Sequence, residues 1–117
     1  LSPPEVKEPV EFFTYATLVA EVDGEVAGYH QFCLTPADKV LHSFAFRIGA
    51  EWKGRGIGQK LADAKLELAR AAGARMHIFA MDKSGAALRK ICEKQGMHAC
   101  QQHGPVVVYM QSFGDAG

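Results

Sequence analysis

Cysteine is scarce in this chain of 117 residues: there are three, an odd number, and none stands in a C-x-x-C pair. A disulfide-stapled framework is therefore excluded, and a reduced, cytoplasmic protein is expected. Charge of one sign is also lacking. Thirteen Lys and Arg residues balance thirteen Asp and Glu. A duplex nucleic-acid binder would show a basic excess, so no nucleic-acid partner is expected. No apolar run approaches the roughly 20 residues of a membrane span, and no signal peptide is visible, so no membrane partner is expected either. Internal repeats and low-complexity tracts are absent. The chain begins at Leu1 rather than Met, which leaves open that it is a portion of a longer one.

What is present is the composition of a globular domain, 48% hydrophobic and 22% charged, in a length that suits one domain. Residues 1–14, with three prolines and alternating charges at their start, read as an extended arm or linker, and residues 15–117 as the folded core. Phe12 to Val22 is rich in aromatic and β-branched residues and reads as a strand; Asp23-Gly24 is a hairpin turn signal, and Glu25 to Leu34 is its partner. A third strand runs from Val40 to Gly49. Ile57, Leu61, Ala64, Leu68 and Ala72 fall at helical spacing, with Gly73 as a C-terminal cap. Arg75 to Met81 is apolar on both faces and reads as a central strand. Ser84 is expected to cap a second helix that buries Leu88, Ile91 and Cys92 and stops at Gly96. His98 to Gln102, a Gly104-Pro105 turn, and Val106 to Met110 complete the order β-β-β-α-β-α-β-β.

The informative stretch joins the third strand to the first helix: Lys53-Gly54-Arg55-Gly56-Ile57-Gly58-Gln59. Glycine there permits positive φ and lets a ligand approach the backbone. No Ser, Thr, Asp or Asn caps the helix, so its first amides stay unpaired at the positive end of the dipole. With Lys53 and Arg55 beside them, they make an anion site suited to a phosphate or pyrophosphate. The Walker loop needs Gly-Lys-Ser/Thr and fails at Gly58-Gln59-Lys60; the dinucleotide fingerprint needs a glycine where Gln59 stands.

A third phosphate loop fits. Lys53 to Gly58 resembles the Q/R-x-x-G-x-G/A acetyl-CoA loop of the GNAT N-acetyltransferases, with Lys53 at its first position. Phe46 to Trp52 is similar to the lead-in of that family, with Ile48 at the Val position and Ala50 at the Pro position. Gly85 to Met97 resembles its N-x-x-A-x-x-L-Y-E-K-x-G-F helix, with Gly85 for Asn, Cys92 for Tyr and Met97 for Phe. The resemblance implies an α/β (α+β) fold: a mixed, mostly antiparallel sheet with helices on its faces, here lacking the family's usual first strand and first two helices. Those elements help form the acceptor pocket. Their absence leaves three readings: a portion of a longer chain, an open acceptor site, or a site completed by another subunit, for example in a homodimer.

The resemblance further implies transfer of an acetyl group from acetyl-CoA, as co-substrate, to a primary amine of a small molecule or protein. Ile48, Lys53, Gly54, Arg55, Gly56, Ile57, Gly58, Gln59 and Ser84 would bind the cofactor, and the backbone N–H near Ile48 would polarise the thioester carbonyl. For the base, His42 lies six residues before Ile48 and, by the two-residue repeat of a strand, on the same face. Imidazole is the side chain suited to proton transfer near neutrality; the alternative is a histidine that merely covers the sheet. Cys92 takes the place of the Tyr that returns a proton to the CoA sulfur, or is simply a small buried hydrophobe. Cys92, His98, Cys100 and His103 are scattered over a helix, a strand and a turn, and no metal is expected. Phe12, Phe13 and Tyr15 could line an acceptor site or the core. Two other readings stay open: a CoA-binding module without catalysis, such as one half of a tandem GNAT protein, and a nucleotide-phosphate binder of another fold.

Overall fold

A six-stranded sheet in the order β1-β2-β3-β4-β6-β5 forms the centre of the computed structural model, which describes residues 14–114. Its strands are β1 (Thr14–Val22), β2 (Glu25–Thr35), β3 (Val40–Ile48), β4 (Met76–Asp82), β5 (His98–His103) and β6 (Val106–Ser112). Helix α1 (Ile57–Ala71) joins β3 to β4, and α2 (Ala86–Lys94) joins β4 to β5. β3 and β4 run parallel and every other neighbouring pair is antiparallel. The element order and the central place of β4 are as the sequence predicts. The arm expected over residues 1–14 lies outside the described residues except for Thr14, which already belongs to β1.

Local chemistry explains the boundaries. Asp23 and Gly24 both take positive φ, as a two-residue hairpin turn matching the strand twist requires. Gly73 takes φ +81°, and the Ala74 amide returns to the Ala69 carbonyl at 2.9 Å, closing α1. Ser84 does not cap α2. Its hydroxyl donates to Asp82 Oδ1 at 2.6 Å, and Gly85 stands at the N-cap with no side-chain bond to the helix.

Both helices lie on one face of the mixed, mostly antiparallel sheet, the fold class that the resemblance implies. Ala69 of α1 packs with Phe32, Leu34 and Leu41, and Cys92 of α2 packs with Phe79, Met81, Val107 and Tyr109. Register places these strand residues on a common side: Leu34 opposes Leu41, Leu41 opposes His77, and Phe79 opposes Tyr109. The other side carries Tyr29, Gln31, His42, Phe44, Ile78, Val108 and Met110, and no described helix covers it.

The inward stripe of α1 also differs from expectation. Leu61, Ala62, Lys65 and Ala69 are buried, whereas Leu68 is half exposed and Ala72 is exposed. Its inner face meets a polar group on the sheet, Ser43, as described below.

Gly28 of β2 lies against Arg47 and Ile48 of β3. A methyl added there would lie 2.6 Å from the Arg47 carbonyl oxygen and 2.7 Å from Ile48 Cδ1. Gly28→Ala should destabilise the fold by roughly 1–3 kcal/mol, the usual cost of overpacking. Urea denaturation checks this as a lower midpoint with an unchanged slope.

Candidate active site

The parallel ladder between β3 and β4 runs from Val40 opposite Met76 to Ser43 opposite Phe79, and stops there. β3 continues to Ile48 and β4 to Asp82, so the two strands part and leave a gap. On its other side β3 stays paired with β2, but the register shifts. Phe32 opposes Ser43 and His30 opposes Phe46, so Phe44 and Ala45 together face Gln31 in a bulge.

Hydrogen bonding along β2 decides which amides face the gap. The Gly49 amide donates to the Ala27 carbonyl at 2.8 Å, flanking the pair Gly28 and Ile48. That pair is therefore a non-hydrogen-bonded one, and so is His30 with Phe46 two residues back. The N–H and C=O groups of Phe46 and Ile48 consequently point away from β2, into the gap beside β4. A buried backbone group without a strand partner needs another acceptor or donor. An extended ligand lying in the gap would supply it.

The glycine loop stands at the mouth of this gap. Gly54 and Gly56 each take φ +78°, in open space, so they are needed for backbone conformation. Gly58 has a different reason: a methyl there would meet Ile91 Cδ1 at 3.2 Å and the Phe46 ring at 3.3 Å. Its missing side chain lets α1 approach β3 and α2. The first intrahelical bond recorded for α1 is Lys60 N–H to the Gly56 carbonyl at 3.2 Å, so the amides of Ile57, Gly58 and Gln59 precede it. No side chain caps them and no acidic residue lies in the first turn. Arg55 stacks on Trp52, its guanidinium carbon 4.9 Å from the ring, and Lys53 is exposed. The Gln59 side chain is committed to Asp63 Oδ1 at 2.9 Å, leaving its amide for the site.

His42 is not on the face of Ile48. It opposes Cys33 and Ile78, whereas Ile48 opposes Gly28 on the helix-covered side. The bulge at Phe44 and Ala45 inserts one residue and reverses the alternation, so a six-residue offset no longer means a shared face. His42 thus belongs to the open side of the sheet. Cys92 is buried on α2 against Phe79, and burial pushes its thiol up to about 11. Phe12 and Phe13 lie outside the described residues. Among the described residues no His, Cys, Asp and Glu side chains converge as a metal site. A shallow groove of about 390 Å³, lined by residues including Asp38, Arg75 and Ser112, lies at the opposite end of β3 and takes no part.

Sequence reasoning missed a buried polar cluster at the base of the gap. Lys65 Nζ, 1% exposed, donates to Ser43 Oγ at 3.1 Å, and Ser43 Oγ bonds His77 Nε2 at 2.7 Å. His30 Nδ1 donates to the Ala45 carbonyl at 2.9 Å, which ties the bulge to β2. The outer nitrogens, His30 Nε2 and His77 Nδ1, have no partner in the structure. Burial, then the Lys65 charge, lowers His30 to about 4 and His77 to about 2, so both rings are neutral. Burial also lowers Lys65 to about 8. The one signal available was Lys65 itself, a cation on the apolar side of the helical repeat.

The GNAT acetyltransferase family model matches residues 2–97, most of the chain and all of the parting strands and glycine loop. The chain belongs to the GNAT acetyltransferase family. No curated protein sequence matches it. Among solved structures it is similar to the ribosomal-protein-S18-alanine N-acetyltransferase of Escherichia coli, at 13% identity and TM-score 0.76, over 88% of this chain and 72% of that one. The PaiA N-acetyltransferase of Thermoplasma acidophilum, solved with coenzyme A, matches at 12% identity and TM-score 0.75, over 85% of this chain and 61% of that one. A GNAT acetyltransferase from Streptococcus pneumoniae matches at 22% and 0.74, over 84% and 66%. These likenesses are of fold. The chain spans about two thirds of the length of these relatives.

The neutral rings make this GNAT domain acid-sensitive. Unfolded histidines bind protons below pH 6.5, whereas folded His30 and His77 resist protonation down to about 4 and about 2. The unfolded state therefore binds more protons between pH 6.5 and 4, and stability falls as pH drops through that window. Each ring adds about 1.4 kcal/mol per pH unit to the slope. Urea denaturation from pH 7.5 to 4 should show this decline, and His30→Gln should flatten it.

Proposed function

We propose that this domain transfers an acetyl group from acetyl-CoA to a primary amine of a small molecule or protein. The observation that carries the reading is the conjunction at one place of two anion-binding and ligand-pairing features. The amides of Phe46 and Ile48 face a gap between parallel strands, and uncapped helix amides with Arg55 stand at its mouth. A pyrophosphate would rest on the amides of Ile57, Gly58 and Gln59, with Lys53, Gly54, Arg55 and Gly56 around it. The pantetheine arm, an extended amide chain, would pair with Phe46 and Ile48 in the gap. The Ile48 amide would then polarise the thioester carbonyl as an oxyanion develops. Ser84, just past the C-terminal end of β4, would join the cofactor set as a donor by releasing Asp82.

Acetyl-CoA binding should raise the melting temperature, since a ligand held only by the folded state stabilises it. Gly56→Val forces a β-branched residue to φ +78° and should remove that rise, as should Gly58→Leu, which displaces Phe46 and Ile91. Retention of full CoA affinity by both folded variants in calorimetry would show that the loop is not the cofactor site.

His42 is the proposed base, acting from the open face through the gap, directly or by way of a water. His42→Ala should lower acetylation at neutral pH far more than it weakens CoA binding. The defect should shrink in alkaline buffer, where the acceptor amine loses its proton unaided. A defect of constant size across the pH range assigns His42 to packing instead.

A second reading is favoured by one observation, the buried Cys92 where the family carries Tyr: a CoA-binding module without catalysis, as in half of a tandem protein or a site completed by another subunit. Turnover of acetyl-CoA with a panel of amines separates the two. The free thiols at Cys33, Cys92 and Cys100 support a reduced, cytoplasmic setting. No described helix is long and apolar enough to cross a membrane.

A further inference from the structure

Lys65 is the buried charge that the acetyl-transfer reading leaves without a task. A lysine with 1% exposure is costly, and apolar residues suit that position of an inward helix face. Its location is specific. Ser43 and Phe79 form the last rung of the β3–β4 ladder before the strands part. Lys65 Nζ touches both, 3.1 Å from Ser43 Oγ and 5.0 Å from the centre of the Phe79 ring. The ammonium therefore stands at the apex of the gap. Cys92, at the position of the family's Tyr, packs against the same Phe79 ring.

We propose that Lys65 is the proton donor to the departing CoA sulfur, in the role that resemblance alone would give to Cys92. This rests on the acetyl-transfer reading above. The acceptor nitrogen forms a bond to the acetyl carbon, the carbon–sulfur bond breaks, and sulfur leaves with the bonding pair. The Lys65 ammonium gives sulfur a proton; His42 takes the proton shed by the acceptor nitrogen and releases it to solvent, and the Lys65 amine regains one from solvent once CoA has left, so no net proton is consumed.

The surroundings fit this role. The titratable groups facing Lys65 are His30 from β2, His77 from β4 and Cys92 from α2. His30 and His77 stay neutral, so the ammonium is not neutralised by a carboxylate and its proton remains available. With burial holding it near 8, its acidity matches that of an ordinary thiol, about 8.5. The Cys92 thiol, raised to about 11, is too weak an acid for the same transfer. Ser43 orients the ammonium, and its own hydroxyl is held by His77.

The test follows the thiol of bound CoA by the ultraviolet absorbance of its thiolate as pH is raised. An adjacent ammonium should make that thiol titrate roughly one to three pH units lower in the wild type than in Lys65→Met. Cys92→Ala should leave the wild-type value in place. Equal titration in wild type and Lys65→Met, or a shift in Cys92→Ala alone, overturns the proposal. Should Lys65→Met fail to fold, the wild type suffices, with CoA compared against desulfo-CoA, which lacks the thiol. The affinity ratio in favour of CoA should grow about tenfold for each unit by which the thiol titration is lowered. A ratio independent of pH overturns the proposal while leaving CoA binding, and so the acetyl-transfer reading, intact. Failure of the wild type to bind CoA at all would remove both.

Discussion

The parting of β3 from β4 after Ser43 and Phe79 is the constraint on which the site depends, and the bulge at Phe44 and Ala45 accompanies it. A bulge increases local twist and bends its strand. β3 keeps β2 as a partner while swinging away from β4, and the amides that β4 would have satisfied are left facing the gap. His30 fixes the distortion by donating to the Ala45 carbonyl, and the Phe46 ring packs edge-on against His30 at 4.7 Å. Farther along, Gly28 gives the Ile48 side chain its room. The glycine loop then begins where the bent strand ends, so the uncapped helix amides and the gap are aligned by one piece of backbone.

The same bend explains the polar cluster beneath α1. Where two strands stop pairing, side chains must replace the missing rungs. Ser43 of β3, His77 of β4 and Lys65 of α1 form a hydrogen-bonded chain across the three elements that bound the apex. Burial holds the Lys65 ammonium down to about 8, so a charge at this position is disfavoured. Around it His30 stacks on Phe79 at 5.6 Å and His77 on Phe113 at 6.4 Å. A stability optimum would place a methionine or leucine at this position. Its occupation by lysine is the kind of local conflict found where function is served.

Much of this was legible from residue order, for identifiable reasons. Alternation, turn residues and helical spacing reflect local chemistry, so the strands, the hairpin at Asp23-Gly24 and the glycine loop emerged without tertiary knowledge. Whatever depends on register did not. His42 and Ile48 were expected on one face because strand parity is counted by residue number, and a single bulge breaks that count with no mark in the sequence. Leu68 belongs to the apolar stripe that hydropathy assigns to the inner face, yet it is half exposed, and hydropathy cannot know that the sheet offers Ser43 as a partner to Lys65. Ser84 has the chemistry of a cap, yet Asp82, two residues earlier, competes for its hydroxyl and wins.

The placement of both helices on one face gives the proposed reaction its geometry. The helix side carries the uncapped first amides of α1 and the buried Lys65, whereas His42 stands on the open side. A continuous ladder is closed to side chains and ligands, because its backbone groups are paired and the strands lie about 4.8 Å apart. β1–β2 and β4–β6 are paired along their lengths. The β3–β4 gap is where a group bound on one side meets a residue on the other. A cofactor entering from the glycine loop would present its thioester in that opening, with an ammonium at the apex to receive the sulfur and an imidazole across the sheet to receive the amine's proton. Under that proposal acid and base would stand on opposite sides of the carbonyl, so that neither would neutralise the other before the acetyl group had moved.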